Sequence, residues 1–312
     1  MRIGISACLL GERVRFNGGH KASRLCLETL ARHFELVPLC PEMAIGLGTP
    51  REAIRLVGDP AAPRAVASRD ASRDFSEPLR AYGEKVADEL HDLCGFVLMQ
   101  KSPSCGLQRV KLYRDDGRPV DGGSTGIFAA ALQARRPELP LEEEGRLHDP
   151  VLRENFLNRV FVYARWQRLL ADGLSRRALL DFHARHKYLL MATSPQQQHA
   201  LGRLLADAGR QDPAELGPRY FRQLMAALGL RASRGTHSNV LQHLSGYLKR
   251  ALSREEKHEL QRLIDQYRGG VVPLVAPLTL LRHHFRRHPD QYVARQDYLQ
   301  PYPDELSLRN QL

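Results

Sequence analysis

The chain has no apolar run of about 18 residues, the length that crosses a bilayer, so the sequence predicts no membrane span. Its start, MRIGISACLL, lacks the basic region, long apolar core and cleavage site of a signal peptide. Cysteine is scarce: five in 312 residues, an odd count at irregular spacing, which argues against a disulfide framework and for a reducing compartment, most simply the cytoplasm. There is no GxGxxG fingerprint, Walker loop or HExxH motif, so neither a nucleotide cofactor nor a helical zinc pair is indicated. What remains is a chain long enough for two domains of ordinary size, each with its own core.

Three of the few cysteines sit just past apolar runs. Cys8 follows RIGISA, Cys40 follows FELVPL, and Cys105 follows GFVLMQ and the turn-like KSPS. Strands of an open parallel sheet end in the crevice where such folds bind ligands, so this placement predicts three soft thiolates on one rim. Three thiolates without a local fourth fit an iron–sulfur cluster with one open iron or a catalytic zinc with one open position. The alternative is that each is a small core hydrophobe. Their flanks favour a site: Glu42 lies two residues after Cys40, and Cys105 is bracketed by Ser102, Ser104 and Gly106, a turn whose glycine allows close backbone approach. Cys26 and Cys94 lack such settings and read as packing residues.

Charge divides the chain. Residues 1–150 hold 21 Lys+Arg and 21 Asp+Glu, whereas 151–312 hold 25 and 14 and carry the entire +11, with nine of the 13 histidines. A neutral half joined to a basic half is the pattern of chemistry in one part and a grip on a polyanion in the other; an arginine-rich solvated surface is the alternative.

Periodicity gives the organisation. Strand-like runs at 2–8, 34–40 and 95–100 alternate with amphipathic stretches at 22–33, 76–93 and 124–135, which predicts an α/β domain with a Rossmann-like parallel sheet. Residues 59–74 read as a long loop, and Gly122 to Gly126 as a helix entry able to hold an anion. A connecting helix is expected at 153–170, then an all-α domain with helices at 175–192, 195–208, 213–229, 236–251, 254–267 and 274–287. The predicted boundaries are 1–171 and 172–312. Three clusters in the second domain combine cations with aromatics, as phosphates and unstacked bases require: His183, His186 and Lys187; His237, Asn239 and Lys249; Arg282, Arg286 and Arg287.

The segments ISACLLG, LCPEMAIGLGTPRE, KSPSCG and EEGRLHDPVLRENFLNRVFVYARW resemble the thiouracil desulfidase family over about the first 165 residues. The resemblance implies that Cys8, Cys40 and Cys105 hold a 4Fe–4S cluster whose fourth iron binds the sulfur of a thiolated pyrimidine. It implies too that Glu42 and Ser102 or Ser104 assist a non-redox hydrolysis releasing sulfide. FHARHKYLLMATS, THSNVLQHLSGYLKR, YRGGVVPLVAPLTLLRHHFRRHP and YLQPYPDEL resemble a helical family found alone or fused to that domain. The fused arrangement resembles bacterial tRNA 4-thiouridine desulfidases, which makes tRNA containing 4-thiouridine the expected partner. The rival expectations are an enzyme on free thiolated pyrimidines such as 2-thiouracil, and a non-enzymatic, metal-bearing RNA-binding regulator. No protein partner is evident.

Overall fold

A computed structural model describes residues 1–114, 116–206, 211–306 and 309. Along the chain come β1 (Arg2–Ser6), β2 (Glu35–Leu39), α1 (Pro41–Ala44), β3 (Ile54–Asp59), β4 (Ala62–Ala67), α2 (Ser76–Glu89), β5 (Leu93–Leu98), β6 (Val110–Tyr113), β7 (Pro119–Ser124), α3 (Ile127–Arg135) and β8 (Leu141–Glu143). Ile3 and Ile5 of β1 are fully buried, as are Leu93, Val97 and Leu98 of β5. Strands with so little polar surface belong in the middle of a sheet, and they lie there: β2-β1-β5-β8, every pair parallel. This is the parallel sheet the apolar runs predict.

A second sheet was not anticipated. It has the order β4-β3-β6-β7, with antiparallel hairpins at both edges and a parallel pair at its centre. β4 occupies the middle of the segment expected as a loop at 59–74. Its Ala65, Val66 and Ala67 are buried against the sheet core, and alanine and proline disguised that strand because they carry little β-propensity. Gly122 and Gly123 likewise belong to β7, and the helix begins only at Ile127. The stretch at 22–33 winds irregularly, π over Leu25–Thr29 and 3-10 over Leu30–Arg32, with Cys26 and Leu30 turned inward. α3 ties the layers together, Phe128 lying edge-on to Phe96 of β5 while Ile127 joins Leu56, Leu79 and Leu112 in the core of the second sheet.

The second half contains α4 (Pro150–Ala171), α5 (Arg176–Thr193), α6 (Pro195–Ala206), α7 (Pro213–Leu228), α8 (Arg234–Tyr247), α9 (Arg254–Arg268) and α10 (Val275–Arg287). These follow the predicted helices closely; positions 207 and 208 of the stretch expected at 195–208 lie outside the described residues. Starts are fixed by caps: Asp149 accepts from Val151 and Leu152 N–H ahead of α4, and Ser233 and Ser253 open capping boxes on α8 and α9. Trp166 of α4 stacks on Phe221 at 4.5 Å and meets Phe182 edge-on, which seats α4 in the helical core. The chain accordingly divides into compact units at Met1–His148 and Asp149–Leu312, with α4 in the second unit, ahead of the expected start at 172.

Candidate active site

β1, β2 and β5 run parallel, so their C-terminal ends share one edge, and the winding of the sheet reverses between β1 and β5. Ligands of open α/β sheets bind at that reversal. Cys8 lies there in the 3-10 turn Ala7–Leu10, which Gly11 closes at φ 92°. Cys40 is the N-cap of α1, where Pro41 stops the strand. Cys105 follows β5 in a tight turn closed by Gly106 N–H to Ser102 O at 2.8 Å. A side chain at Gly106 would strike Ser102 O at 2.8 Å and Val110, so its closeness serves the turn itself. Cys8, Cys40 and Cys105 line one cavity of about 400 Å³. Cys26 and Cys94 are buried elsewhere in the unit, as packing residues are. Among the described residues no three His, Cys, Asp or Glu side chains form a group that could hold a metal ion.

Burial pushes the Cys8 thiol up to about 11, and the neighbouring Cys40 adds to the shift. Cys40 is raised by burial as well. Cys105 is raised well above its ordinary value, by burial and then by Glu42, although the Ser6 hydroxyl bonds to it and works the other way. Three thiols held in their neutral form around one cavity need a cationic partner to become thiolates.

Glu42, on the first turn of α1, faces the same cavity. Its Oε2 accepts from Arg51 Nε at 2.9 Å and Nη2 at 2.5 Å, and its Oε1 from Ser104 Oγ at 2.9 Å. Arg51 is itself anchored by Gly48 O at 2.6 Å and Val14 O at 2.9 Å, and the pair is largely buried. The two candidate serines therefore separate. Ser104 is fully buried and spends its hydroxyl on Glu42. Ser102 lines the cavity, and its Oγ accepts from the N–H of Ser104 and Cys105, which leaves its proton to donate. Sequence reasoning missed Arg51, although it stands in the motif LCPEMAIGLGTPRE, and missed Ser6, Arg15, Lys21 and Lys101, which also border the cavity. Basic residues around a cysteine-bearing strand end were the available signal.

The residues expected to touch RNA are scattered over several environments. His186 is buried between Phe182 O at 2.7 Å and Asp297 at 2.9 Å, and His237 is buried against the Tyr298 hydroxyl at 2.8 Å. Neither presents a face to a phosphate, because each packs on the inner side of its helix. His183 bonds Tyr220 OH at 3.1 Å, Lys187 lies over the Tyr188 ring, and Arg287 pairs with Glu256 at 3.0 Å. Asn239 is half-buried, and Lys249 is exposed. Arg282, which bonds Leu299 O, and Arg286 line an open groove of about 1130 Å³ shared with Arg165, Arg168, Arg185 and Arg295. Six arginines on one concave surface outnumber its acids, Asp172, Asp181 and Asp297.

The sequence profile of the 2-thiouracil desulfurase family matches residues 3–144, and that of a protein family of unknown function, DUF1722, matches residues 187–303. The uncharacterized protein YbgA of Escherichia coli (strain K12) is 34% identical over 158 residues, 50% of this chain and 94% of its own. The uncharacterized protein YbbK of Bacillus subtilis (strain 168) is 30% identical over 143 residues, 41% of this chain and 87% of its own. A solved structure of the [4Fe-4S]-dependent thiouracil desulfidase TudS shares 27% identity over 47% of this chain and 93% of that one, with a TM-score of 0.39. The chain belongs to the family of these relatives, joining a 2-thiouracil desulfurase region at residues 3–144 to a DUF1722 region at residues 187–303.

Proposed function

We propose that the first unit is an iron–sulfur-dependent desulfidase of thiolated pyrimidines, with the free base as substrate. The observation that carries this reading is the convergence of Cys8, Cys40, Cys105 and Glu42 on one cavity at the sheet's reversal point. The donor set suits a 4Fe–4S group. Three thiols border a volume of about 400 Å³, and burial leaves each in need of the positive charge that iron brings. Cys8, Cys40 and Cys105 would hold it, and one open iron would supply a soft Lewis acid for the departing sulfur.

The reaction is C=S plus water giving C=O plus hydrogen sulfide, with no electron transferred. Glu42 takes the proton from the water that attacks the thiocarbonyl carbon and returns it to the leaving sulfur. Arg51 and Ser104 fix that carboxylate by one oxygen each, which holds its rotamer and spares its remaining lone pairs for the water. Ser102 donates its free proton to the pyrimidine and orients the ring. Arg51 and Ser104 act through Glu42 and are positioning residues.

A second reading keeps the same chemistry but places the thiolated base in tRNA as 4-thiouridine. The six-arginine groove of the second unit favours it, since a polynucleotide backbone offers the counter-charges that a free base lacks. One experiment separates the two. Anaerobically reconstituted full-length protein is given 2-thiouracil or tRNA bearing 4-thiouridine, and thiopyrimidine absorbance and sulfide are followed together. We expect stoichiometric sulfide from 2-thiouracil, insensitive to salt. Turnover confined to tRNA and falling steeply with salt would transfer the assignment to the second reading, and no sulfide from either substrate with the cluster intact would end both.

A further inference from the structure

The second unit contains a separate cavity of about 180 Å³ between α4, α5 and α8, walled mainly by Val151, Leu189, Ala192 and Leu228 and by the Tyr267 ring. Most polar groups on its wall are already used by the protein. Asn155, Thr193 and Ser233 bond backbone groups around them. Glu154 is neutralised by Arg309 at 3.0 Å, and the unpartnered Asn158 Oδ1 is shut off from the cavity. His237 and Arg234 are different. His237 is 9% exposed and engages the Tyr298 hydroxyl through Nδ1 at 2.8 Å. Its Nε2 has no protein partner among the described residues and is not enclosed by them, unlike both ring nitrogens of His284. Tyr298 is fully buried and its hydroxyl has no other partner among the described residues, so the O–H donates to Nδ1 and the ring proton sits on Nε2. Burial pushes this imidazole down to about 3, so it brings a neutral N–H donor to the wall. Arg234, exposed at the start of α8, lies over the Tyr267 ring at 5.1 Å. It gives Nη1 to Tyr267 O at 2.9 Å and Val272 O at 3.4 Å, which leaves Nε and Nη2 without a protein partner among the described residues.

We propose that this cavity binds a small monocarboxylate with a compact apolar body, the carboxylate being held by Arg234 and the Nε2–H of His237. Charge selects an anion, because Arg234 and Arg309 outnumber Glu154 on the wall. The positive end of the α8 dipole, where Ser233 and Arg234 stand, acts in the same direction. Both free side chains are donors, and an acceptor is what they lack. Size and apolarity select the rest of the molecule. An apolar cavity of about 150 Å³ takes up benzene, so this volume suits one ring or a branched chain of similar bulk, with the carboxylate at the exposed Arg234. Inorganic phosphate has no apolar body to set against these walls and would lose hydration without return.

The test titrates the full-length protein with benzoate and with 3-methylbutanoate by calorimetry. Benzamide serves as the neutral counterpart of benzoate, and inorganic phosphate as an anion without an apolar body. At least one of the two carboxylates should bind once per chain, at least tenfold more tightly than benzamide or phosphate. Arg234→Gln, a change at an exposed position, should weaken that binding at least tenfold, and Arg234→Lys, which keeps the charge, should restore most of it. His237→Phe keeps the ring and removes the N–H, and should cost as much; if it fails to fold, the Arg234 pair decides alone. Binding of neither carboxylate, equal binding of benzamide or phosphate, or an affinity unchanged in folded Arg234→Gln would overturn the proposal. It does not rest on the desulfidase reading: a parent protein that binds the carboxylate but releases no sulfide from 2-thiouracil would count against that reading alone.

Discussion

The strand-end cysteines of the first unit and the buried carboxylates of the second are treated in opposite ways. In the first, Cys8, Cys40 and Cys105 border open volume, and among their contacts only weak ones, such as the Ser6 hydroxyl on Cys105, are made with protein. In the second, Asp297 receives Arg165, Arg185 and His186 at 2.8–3.2 Å, and Glu154 receives Arg309 and Tyr302. Groups that satisfy each other are structure, whereas groups left facing a cavity are poised for something from outside the chain. By this measure the histidine- and arginine-rich half, which looks the more chemical in sequence, satisfies more of its own buried charge, and the charge-neutral half holds the proposed reaction centre.

The sharpest break of the comparison is removal of a thiol. Cys105→Ser should reduce sulfide release to background and lower bound iron in the reconstituted protein, whereas Cys26→Ser, a change within the packing, should keep both; equal iron in the two variants would dissolve the distinction between lining and packing cysteines. Next comes the acid–base group. Glu42→Gln should lower turnover by about 10²–10⁴-fold with iron content unchanged. Ser104→Ala removes one hydrogen bond to that carboxylate and should cost no more than about tenfold, from a net bond worth ~0.5–1.5 kcal/mol.

In the second unit the equivalent operation acts on stability. Glu154→Gln leaves Arg309 as a buried charge without its counter-ion, and breaking such a pair costs about 3–5 kcal/mol. Urea unfolding followed through Trp166 should show this loss, while the folded fraction releases sulfide from 2-thiouracil at the parent rate. A rate that falls with the stability would mean that the second unit serves the chemistry directly.

Much of this architecture is legible without coordinates, but unevenly. The central parallel strands and nearly all the helices announce themselves because burial on every side, or along one stripe, leaves an unbroken apolar signal. The second sheet is hard to read because β4 is mostly Ala, Pro and Arg, and because β6 and β7, joined around Asp116–Gly117, are short and carry little apolar alternation. At the site, the strand-end cysteines and Glu42 could be read from their flanks. The partner of Glu42 could not, since Arg51 reaches it by tertiary packing. The side chains chosen for RNA show the complementary limit: composition identifies His186 and His237 as chemically versatile, but helical phase turns both inward.

The effect that tests both units in one titration is that of pH. His237 is held down to about 3 and His183 to about 4, both chiefly by burial, while an unfolded histidine takes its proton near 6.5. The unfolded state therefore binds more protons below that value. Second-unit stability is complete above pH 6.5 and declines as pH falls toward 4, by up to about 1.4 kcal/mol per pH unit for each histidine. Cys26 is displaced the other way, up to about 11 from 9.0, again by burial. Its contribution is complete below pH 9 and is lost as pH rises toward 11, because the unfolded thiol ionises first. The reporters are already segregated: the single tryptophan, Trp166, lies in the second unit and all five cysteines in the first. Trp fluorescence should register weakening in acid, and thiol reactivity of the cluster-free protein should register weakening in alkali. If both midpoints moved together at each end of the scale, the units would unfold as one, and their opposite treatment of buried charge would be a local matter without thermodynamic independence.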